Sequence, residues 1–308
     1  MNTKELDSKY IAGTYARFPI VLKEGRGSVV WDTEGKEYID MGSGIAVNAF
    51  GIADHEWINA VTSQLGKLQH SSNLYYTEPG ALLAEQLCTR TGMKKAFFGN
   101  SGAEANECAI KLARLYARRR TEAAGKDAEL APRLIVTLDA SFHGRTLATL
   151  AATAQPAKQE AFQPLPDGFV RTPINDVAAL EELFARQGDA VCAVVVECVQ
   201  GESGVHPCTA EFLQAARRLT RQTGALLVCD EIQCGMYRCG TYPFGFQHFG
   251  VTPDAVTIAK GVASGFPMGM CAARAQVAAS FDPGDHGSTF GGSCLAVAAA
   301  EATVRALA

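Results

Sequence analysis

The sequence lacks the features of several large protein classes. Its ten cysteines form no Cys-x-x-Cys pair, which argues against a zinc site or a disulfide framework. No apolar run approaches the roughly 20 residues that span a bilayer, and the first residues have no signal-peptide core. The net charge of −4 provides no broad basic field for nucleic acid. We therefore expect a cytoplasmic protein without a metal centre, a membrane or a nucleic-acid partner.

Two common phosphate-binding motifs are also missing. The Gly-rich turn at 99–103 precedes a long helical pattern, but it is neither a Walker loop nor a Gly-x-Gly-x-x-Gly fingerprint. Ser101 stands three residues before Glu104, which is the spacing of a capping box. The free N–H groups of a helix start suit a phosphate, although an ordinary capped turn fits the same residues.

Short apolar runs alternate with amphipathic stretches along the chain. The runs predict strands at 96–98, 134–138, 191–197, 225–231, 255–259 and 268–273. Between them, apolar residues three or four apart predict helices at about 79–90, 103–120, 176–187 and 210–223. Residues 25–40 instead predict a peripheral hairpin that turns at 33–35. Continuous apolarity indicates strands covered on both faces, so the pattern predicts an α/β sheet with helices on both sides.

Lysine is scarce in the second half of the chain. Lys260 is the only lysine in residues 159–308, a stretch with eight arginines, and it closes an apolar strand pattern. Asp230 and Glu231 end the strand pattern before it. Two acids could suggest a metal site, and a lone lysine could simply cap a strand. A Schiff-base lysine with a carboxylate that pins a pyridine nitrogen fits the set better.

Other polar residues follow predicted strands or stand in loops. Arg145 could clamp a carboxylate beside Phe142, although a core Phe142 and a surface Arg145 fit the same segment. Glu197 ends a wholly apolar run, where an unpaired charge is costly. Ser288 and Thr289 stand in a small-residue loop that could donate hydrogen bonds to a phosphate.

Taken together, these segments resemble the class III pyridoxal-phosphate-dependent aminotransferases, and within them the acetylornithine aminotransferases. The likeness runs from about Thr14 to Arg305. It is carried by ordered motifs at 14–19, 43–48, 72–79, 99–106, 142–146 and 230–233. The chain departs from the family pattern in having Cys198 after Glu197, and Ser293 and Cys294 after Gly292.

The resemblance implies a type I fold, with a mostly parallel seven-stranded sheet, helices on both faces and a partial small domain. Residues 1–45 would belong to the small domain, and residues 46–308 would form the large cofactor-binding domain. The family continues into a C-terminal small domain, which we expect to be absent from this sequence. A homodimer with shared active sites is also implied.

The resemblance further assigns the site. Lys260 would bind pyridoxal 5'-phosphate as a Schiff base and shuttle a proton, and Asp230 would keep the pyridine nitrogen protonated. The remaining cofactor contacts would come from Ser101, Gly102, Ala103, Phe142 and Gln233, and from Thr289 of the neighbouring subunit. Substrate would be bound by Arg145, Ser288 and Glu197, the last paired in the family with an arginine of the C-terminal domain.

The implied reaction moves the δ-amino group of N2-acetyl-L-ornithine to 2-oxoglutarate. Its products are N-acetyl-L-glutamate 5-semialdehyde and L-glutamate, in arginine biosynthesis. Ornithine aminotransferases of this family carry a bulky aromatic near the Gly44 position, so the resemblance implies that residues 43–45 leave room for an acylated substrate. The alternatives are ornithine, succinylornithine, succinyl-diaminopimelate or 4-aminobutyrate as amino donor, a remnant that binds the cofactor without turnover, and a metal-dependent hydrolase.

Overall fold

The computed structural model describes residues 1–307. Its strands are β1 Leu22–Arg26, β2 Val29–Asp32, β3 Glu37–Ile39, β4 Lys95–Gly99, β5 Leu134–Leu138, β6 Phe169–Thr172, β7 Val191–Val196, β8 Val199–Gln200, β9 His206–Pro207, β10 Leu226–Asp230, β11 Ala255–Ile258 and β12 Gly269–Ala273. Its helices are α1 Thr3–Tyr10, α2 Ser43–Ala46, α3 His55–Leu65, α4 Glu78–Thr91, α5 Gly102–Ala123, α6 Leu147–Ala152, α7 Pro156–Gln159, α8 Val177–Gln187, α9 Ala210–Thr223, α10 Ala275–Ala278 and α11 Cys294–Ala306. Across residues 1–307, none of these helices combines the length and apolarity needed to cross a membrane.

A seven-stranded sheet forms the centre of the molecule, in the order β4-β12-β11-β10-β7-β5-β6. β12 runs antiparallel to both of its neighbours, whereas the other pairs are parallel. The predicted α/β sheet is therefore confirmed. Parallel strands place their carboxyl ends at one edge, so the residues that follow β5, β7, β10 and β11 meet there.

Helices cover both faces of this sheet. Along β7, Val194 packs with Leu180 of α8 and Phe212 of α9, whereas its neighbours Ala193 and Val195 face α5. Because every residue of β7 is buried, the strand reads as a continuous apolar run. Complete burial of a leucine or phenylalanine stabilises the fold by roughly 1.5–3 kcal/mol. The four predicted helices are confirmed as α4, α5, α8 and α9.

The strand β6 was not predicted from the sequence. It lies at the edge of the sheet, has only four residues and exposes Arg171. An edge strand that is partly open to solvent has no continuous apolar run to reveal it.

The N-terminal region forms a separate sheet of β1, β2 and β3, all antiparallel. The predicted turn at 33–35 joins β2 to β3. Asp32 shapes this turn by accepting hydrogen bonds from the backbone of Glu34 and of Lys36, both at 2.9 Å, and from the hydroxyl of Tyr38 at 2.8 Å. The hairpin prediction is confirmed, with β1 as an additional strand.

Candidate active site

A cavity of about 400 Å³ opens where the parallel strands end. It is lined by nine of the eleven predicted site residues, namely Ser101, Gly102, Ala103, Phe142, Arg145, Glu197, Asp230, Gln233 and Lys260. They come from five separate segments of the chain, which the sheet topology brings to one edge. The tertiary structure thus assembles a single site from residues more than 150 positions apart.

Ser288 and Thr289 lie outside that cavity. They line a second cavity of about 320 Å³, to which Glu104 and Asn100 also contribute. Asn100 borders both cavities, and its Nδ2 donates a hydrogen bond to Ser288 Oγ at 3.0 Å. One chain alone therefore does not bring these two hydroxyls to Lys260, and the contribution of Thr289 across a subunit interface stays a prediction.

Lys260 follows β11 and begins a short 3₁₀ turn. Its φ is +47°, in the left-handed region that residues with a side chain rarely adopt. Strain of this kind costs about 1–3 kcal/mol and clusters at functional sites. Burial lowers the pKa of the Lys260 amine, although the charges of Asp230, Glu202 and Glu197 oppose that shift. A larger fraction of this amine is therefore neutral, and able to accept a proton, than for an exposed lysine.

Asp230 ends β10 and is almost wholly buried. Its Oδ2 accepts hydrogen bonds from Asn106 Nδ2 at 2.8 Å and pairs with His143 Nδ1 at 2.7 Å. Its Oδ1 accepts the backbone N–H of Ile232 at 3.0 Å. Burying a charge is costly unless it is paired and hydrogen-bonded, and these three partners meet that condition.

His143 is held behind Asp230, and the ring is also fully buried. Burial disfavours its protonated form, but the hydrogen bond and charge of Asp230 outweigh that effect and raise the His143 pKa. The other ring nitrogen, Nε2, is buried without a partner among residues 1–307. The contact through Nδ1 of His143 fixes the orientation of the Asp230 carboxylate at the wall of the cavity.

Glu197 forms another part of the wall. Burial raises its pKa to about 7, with His143 lowering it and Asp230 raising it further. One oxygen, Oε2, accepts the backbone N–H of Phe142 at 3.0 Å. This bond links the end of β7 to the loop after β5. It also gives the buried Glu197 carboxyl one of the hydrogen-bond partners that its position at the end of an apolar run requires.

The start of α5 faces the cavity and offers free backbone donors. Ser101 caps the helix by accepting the N–H of Glu104 at 3.2 Å, so half of the predicted capping box is present. A Cβ at Gly102 would lie 2.8 Å from Ile232 Cδ1, so a larger residue would force that wall to move. The N–H groups and the positive end of the helix dipole suit a phosphate.

Two cationic side chains lie near the ring of Phe142. Arg145 lies 5.6 Å from the ring centroid and Lys158 lies 4.9 Å from it. Lys158 also forms an ion pair with Glu202 at 2.9 Å. Arg145 itself is exposed and borders the cavity. Its guanidinium is therefore accessible to a carboxylate that enters from solvent.

Sequence reasoning missed two residues that support Asp230. Asn106 lies on the buried face of α5, and His143 lies in the loop after β5. A polar amide among the apolar positions of an amphipathic helix was the available signal for Asn106. Glu231, by contrast, lies outside the cavity and anchors a loop, since it accepts the N–H groups of Gly245 at 2.7 Å and Phe246 at 2.8 Å.

The residues fit pyridoxal phosphate. The cavity combines a lysine amine, a buried and oriented carboxylate, an aromatic ring and a helix start with free donors. Within residues 1–307, no group of three or more His, Cys, Asp or Glu side chains is arranged to hold a metal ion. The lysine, the carboxylate, the aromatic ring and the helix start are the donor set of an organic cofactor with a phosphate.

Comparison with known proteins finds similar aminotransferases. The acetylornithine aminotransferase of Neisseria meningitidis serogroup A is 47% identical over 289 residues, covering 94% of this chain and 70% of the relative. That of Xanthomonas axonopodis pv. citri is 48% identical over 300 residues, covering 97% and 71%. A structure of the ornithine aminotransferase from Toxoplasma gondii, with partial occupancy of PLP, superposes with a TM-score of 0.90 at 31% identity, covering 99% of this chain and 70% of that one.

The family match covers nearly the whole sequence. Residues 10–308 match the description "Aminotransferase class-III". The chain therefore belongs to the class III aminotransferases, a family of pyridoxal-phosphate-dependent enzymes.

Proposed function

We propose that the protein transfers the δ-amino group of N2-acetyl-L-ornithine to 2-oxoglutarate, giving N-acetyl-L-glutamate 5-semialdehyde and L-glutamate. The observation that carries the proposal is the convergence of Lys260 and Asp230 on one cavity with the start of α5. Relatives named acetylornithine aminotransferase, at 47–48% identity, support this choice of substrate. Arginine biosynthesis would be the setting and the cytoplasm the compartment.

Bound pyridoxal phosphate supplies an electron-accepting ring that stabilises negative charge at the substrate carbon next to nitrogen. Lys260 would attach the cofactor through Nζ and, when free, move a proton to and from that carbon. The lowered pKa of Lys260 suits this task, since a general base works best when its pKa lies near the working pH. Asp230, fixed by His143, would hold the proton at the pyridine nitrogen.

The other residues would bind and position. Gly102 and Ala103, with Ser101, would hold the phosphate at the start of α5. Phe142 would pack on the ring face, and Gln233 would contact the phenolic oxygen. The substrate contacts would come from Arg145 at the α-carboxylate, with Ser288 and Glu197.

A homodimer would complete the site through Thr289 of the partner subunit. An exposed apolar surface supports this, because Leu74, Tyr76 and Phe290 all stand in solvent. The two loops that carry them are joined by Asn73 Nδ2, which donates to the backbone oxygens of Ser288 at 3.2 Å and Gly291 at 2.9 Å. Residues 1–45 would form part of a small domain, and residues 46–308 the large domain.

Spectroscopy and kinetics together test this function. Pyridoxal phosphate is added to the protein, and its visible absorption is followed as acetylornithine and then 2-oxoglutarate are supplied. We expect acetylornithine to remove the band and 2-oxoglutarate to restore it, with a kcat/KM for acetylornithine above that for ornithine. A preference for ornithine would contradict the proposed donor. A band that acetylornithine leaves unchanged would indicate a protein that binds the cofactor without turnover.

A further inference from the structure

A further cavity of about 350 Å³ lies beside α5, away from Lys260. Its walls include two cysteines, Cys108 of α5 and Cys271 of β12, together with His286. Both cysteines are free thiols with 1% and 3% of their surface exposed. Both buried thiols therefore border a space large enough to hold a small molecule.

The two thiols line the same cavity and belong to one cluster of buried side chains, and His286 lines that cavity beside them. The His286 ring is fixed by two aromatic neighbours, Phe97 at 4.5 Å and Phe281 at 5.7 Å between ring centroids. Lys111, one turn after Cys108 on α5, places its Nζ 3.1 Å from His286 Nδ1. A thiolate at Cys108 would therefore have hydrogen-bond donors and a positive charge beside it.

This environment differs from that of the other thiols. The hydrogen bond from Cys271 lowers the pKa of Cys108 to about 6, aided by His286 and Lys111 and opposed by burial. Burial instead raises the pKa of Cys192 and of Cys208 to about 12, and it raises that of the half-buried Cys88. Because the thiolate is the reactive form, Cys108 is the thiol best prepared to react near neutral pH.

We propose that Cys108 is a peroxide-reactive thiol and that Cys271 is its resolving partner, so that the pair forms a disulfide between α5 and β12. The Cys108 thiolate attacks one oxygen of hydrogen peroxide, a sulfur–oxygen bond forms, and the oxygen–oxygen bond breaks. The hydroxide that leaves takes a proton and becomes water. Cys271 then attacks the oxidised sulfur, its proton goes to the second departing hydroxide, and a second water is released. The two thiols lose two electrons in total, and peroxide is reduced.

Peptide mapping after oxidation tests the proposal. The protein loaded with pyridoxal phosphate is treated with limiting hydrogen peroxide at pH 7, and its cysteine peptides are identified by mass spectrometry. We expect a Cys108–Cys271 disulfide to form at least about tenfold faster than oxidation of Cys88, given their thiolate fractions. In the C271S variant, a dimedone adduct should accumulate on Cys108, since the resolving thiol is gone. Oxidation of Cys88 or Cys239 while Cys108 stays reduced would overturn the proposal.

A second measurement needs no variant. The rate of Cys108 oxidation in the natural sequence is followed from pH 5 to pH 9. We expect half-maximal rate near pH 6, where the Cys108 thiol ionises. A rate that rises only above about pH 8, as for an unperturbed thiol, would show that Cys271, His286 and Lys111 do not activate Cys108.

Discussion

His143 Nδ1 lies 2.7 Å from Asp230 Oδ2, and both side chains are almost wholly buried. The pair joins the loop after β5 to the end of β10, two segments 87 residues apart in sequence. In the proposed function the pair acts indirectly, because His143 orients the carboxylate that would meet the cofactor. The pair affects stability directly, because removing either side chain would leave the other one buried without this partner.

The H143A variant tests the second consequence. Breaking a buried pair by removing one partner costs roughly 3–5 kcal/mol. We expect urea unfolding of H143A to show a loss of that order. The matched control is H206A, which removes an exposed ring. Equal unfolding midpoints for H143A and the natural sequence would contradict the prediction.

Lys260 is the residue on which the proposed activity depends. In the K260A variant, we expect the visible band formed with pyridoxal phosphate to disappear and transamination to fall by at least about 10²-fold, since the proton-transfer base is lost. Absorbance and initial rates measure the two effects. The control K67A removes an exposed lysine and should change neither. Full activity in K260A would exclude the assigned role.

Glu197 makes stability depend on pH. Its pKa is 4.5 when unperturbed and about 7 when folded, so between these values the folded state holds a proton that the unfolded state has lost. The stability linked to the protonated Glu197 side chain is therefore fully present below pH 4.5. It is lost as the pH rises through 7, where the folded state also loses this proton. The loss is on the order of 3 kcal/mol. His143, whose folded pKa is raised from 6.5, contributes with the same sign at higher pH.

The E197Q variant isolates this contribution, because glutamine keeps an acceptor for the Phe142 N–H but does not titrate. We expect the stability of E197Q relative to the natural sequence to increase as the pH rises from 4.5 to 8. Denaturant unfolding at several pH values measures it. The exposed carboxylate of Glu182 provides the control E182Q. A difference that does not vary with pH would show that Glu197 titrates normally.

Gly102 leaves room at the start of α5. An added Cβ would meet Ile232 Cδ1 at 2.8 Å, and overpacking of this kind costs roughly 1–3 kcal/mol. We expect G102A to bind pyridoxal phosphate about tenfold more weakly, as a loss of 1.4 kcal/mol would cause. Titration followed by absorbance measures the affinity. Adding I232V should recover part of the loss. G13A is the control, since nothing lies within 4 Å of a Cβ there.

Much of the fold was predictable because the signals are local. Continuous apolar runs predicted six of the seven strands of the large sheet, and amphipathic spacing predicted α4, α5, α8 and α9. The exposed edge strand β6 lacked such a run. Lys260 and Asp230 were identified from residue type and position alone. A lone lysine and an acid at the ends of apolar strands indicate a structural or catalytic role.

By itself, the sequence determined which segments form strands and helices and which residue types the site contains. Only the tertiary structure decided which of those residues share a cavity. Strand order is set by long-range packing. The tertiary structure therefore brings Asn106, His143 and Asp230 together, and it places Ser288 and Thr289 in a neighbouring cavity. Burial is likewise a property of the folded chain, and it shifts the pKa of Glu197 and of Lys260, whereas the neighbouring Cys271 lowers that of Cys108.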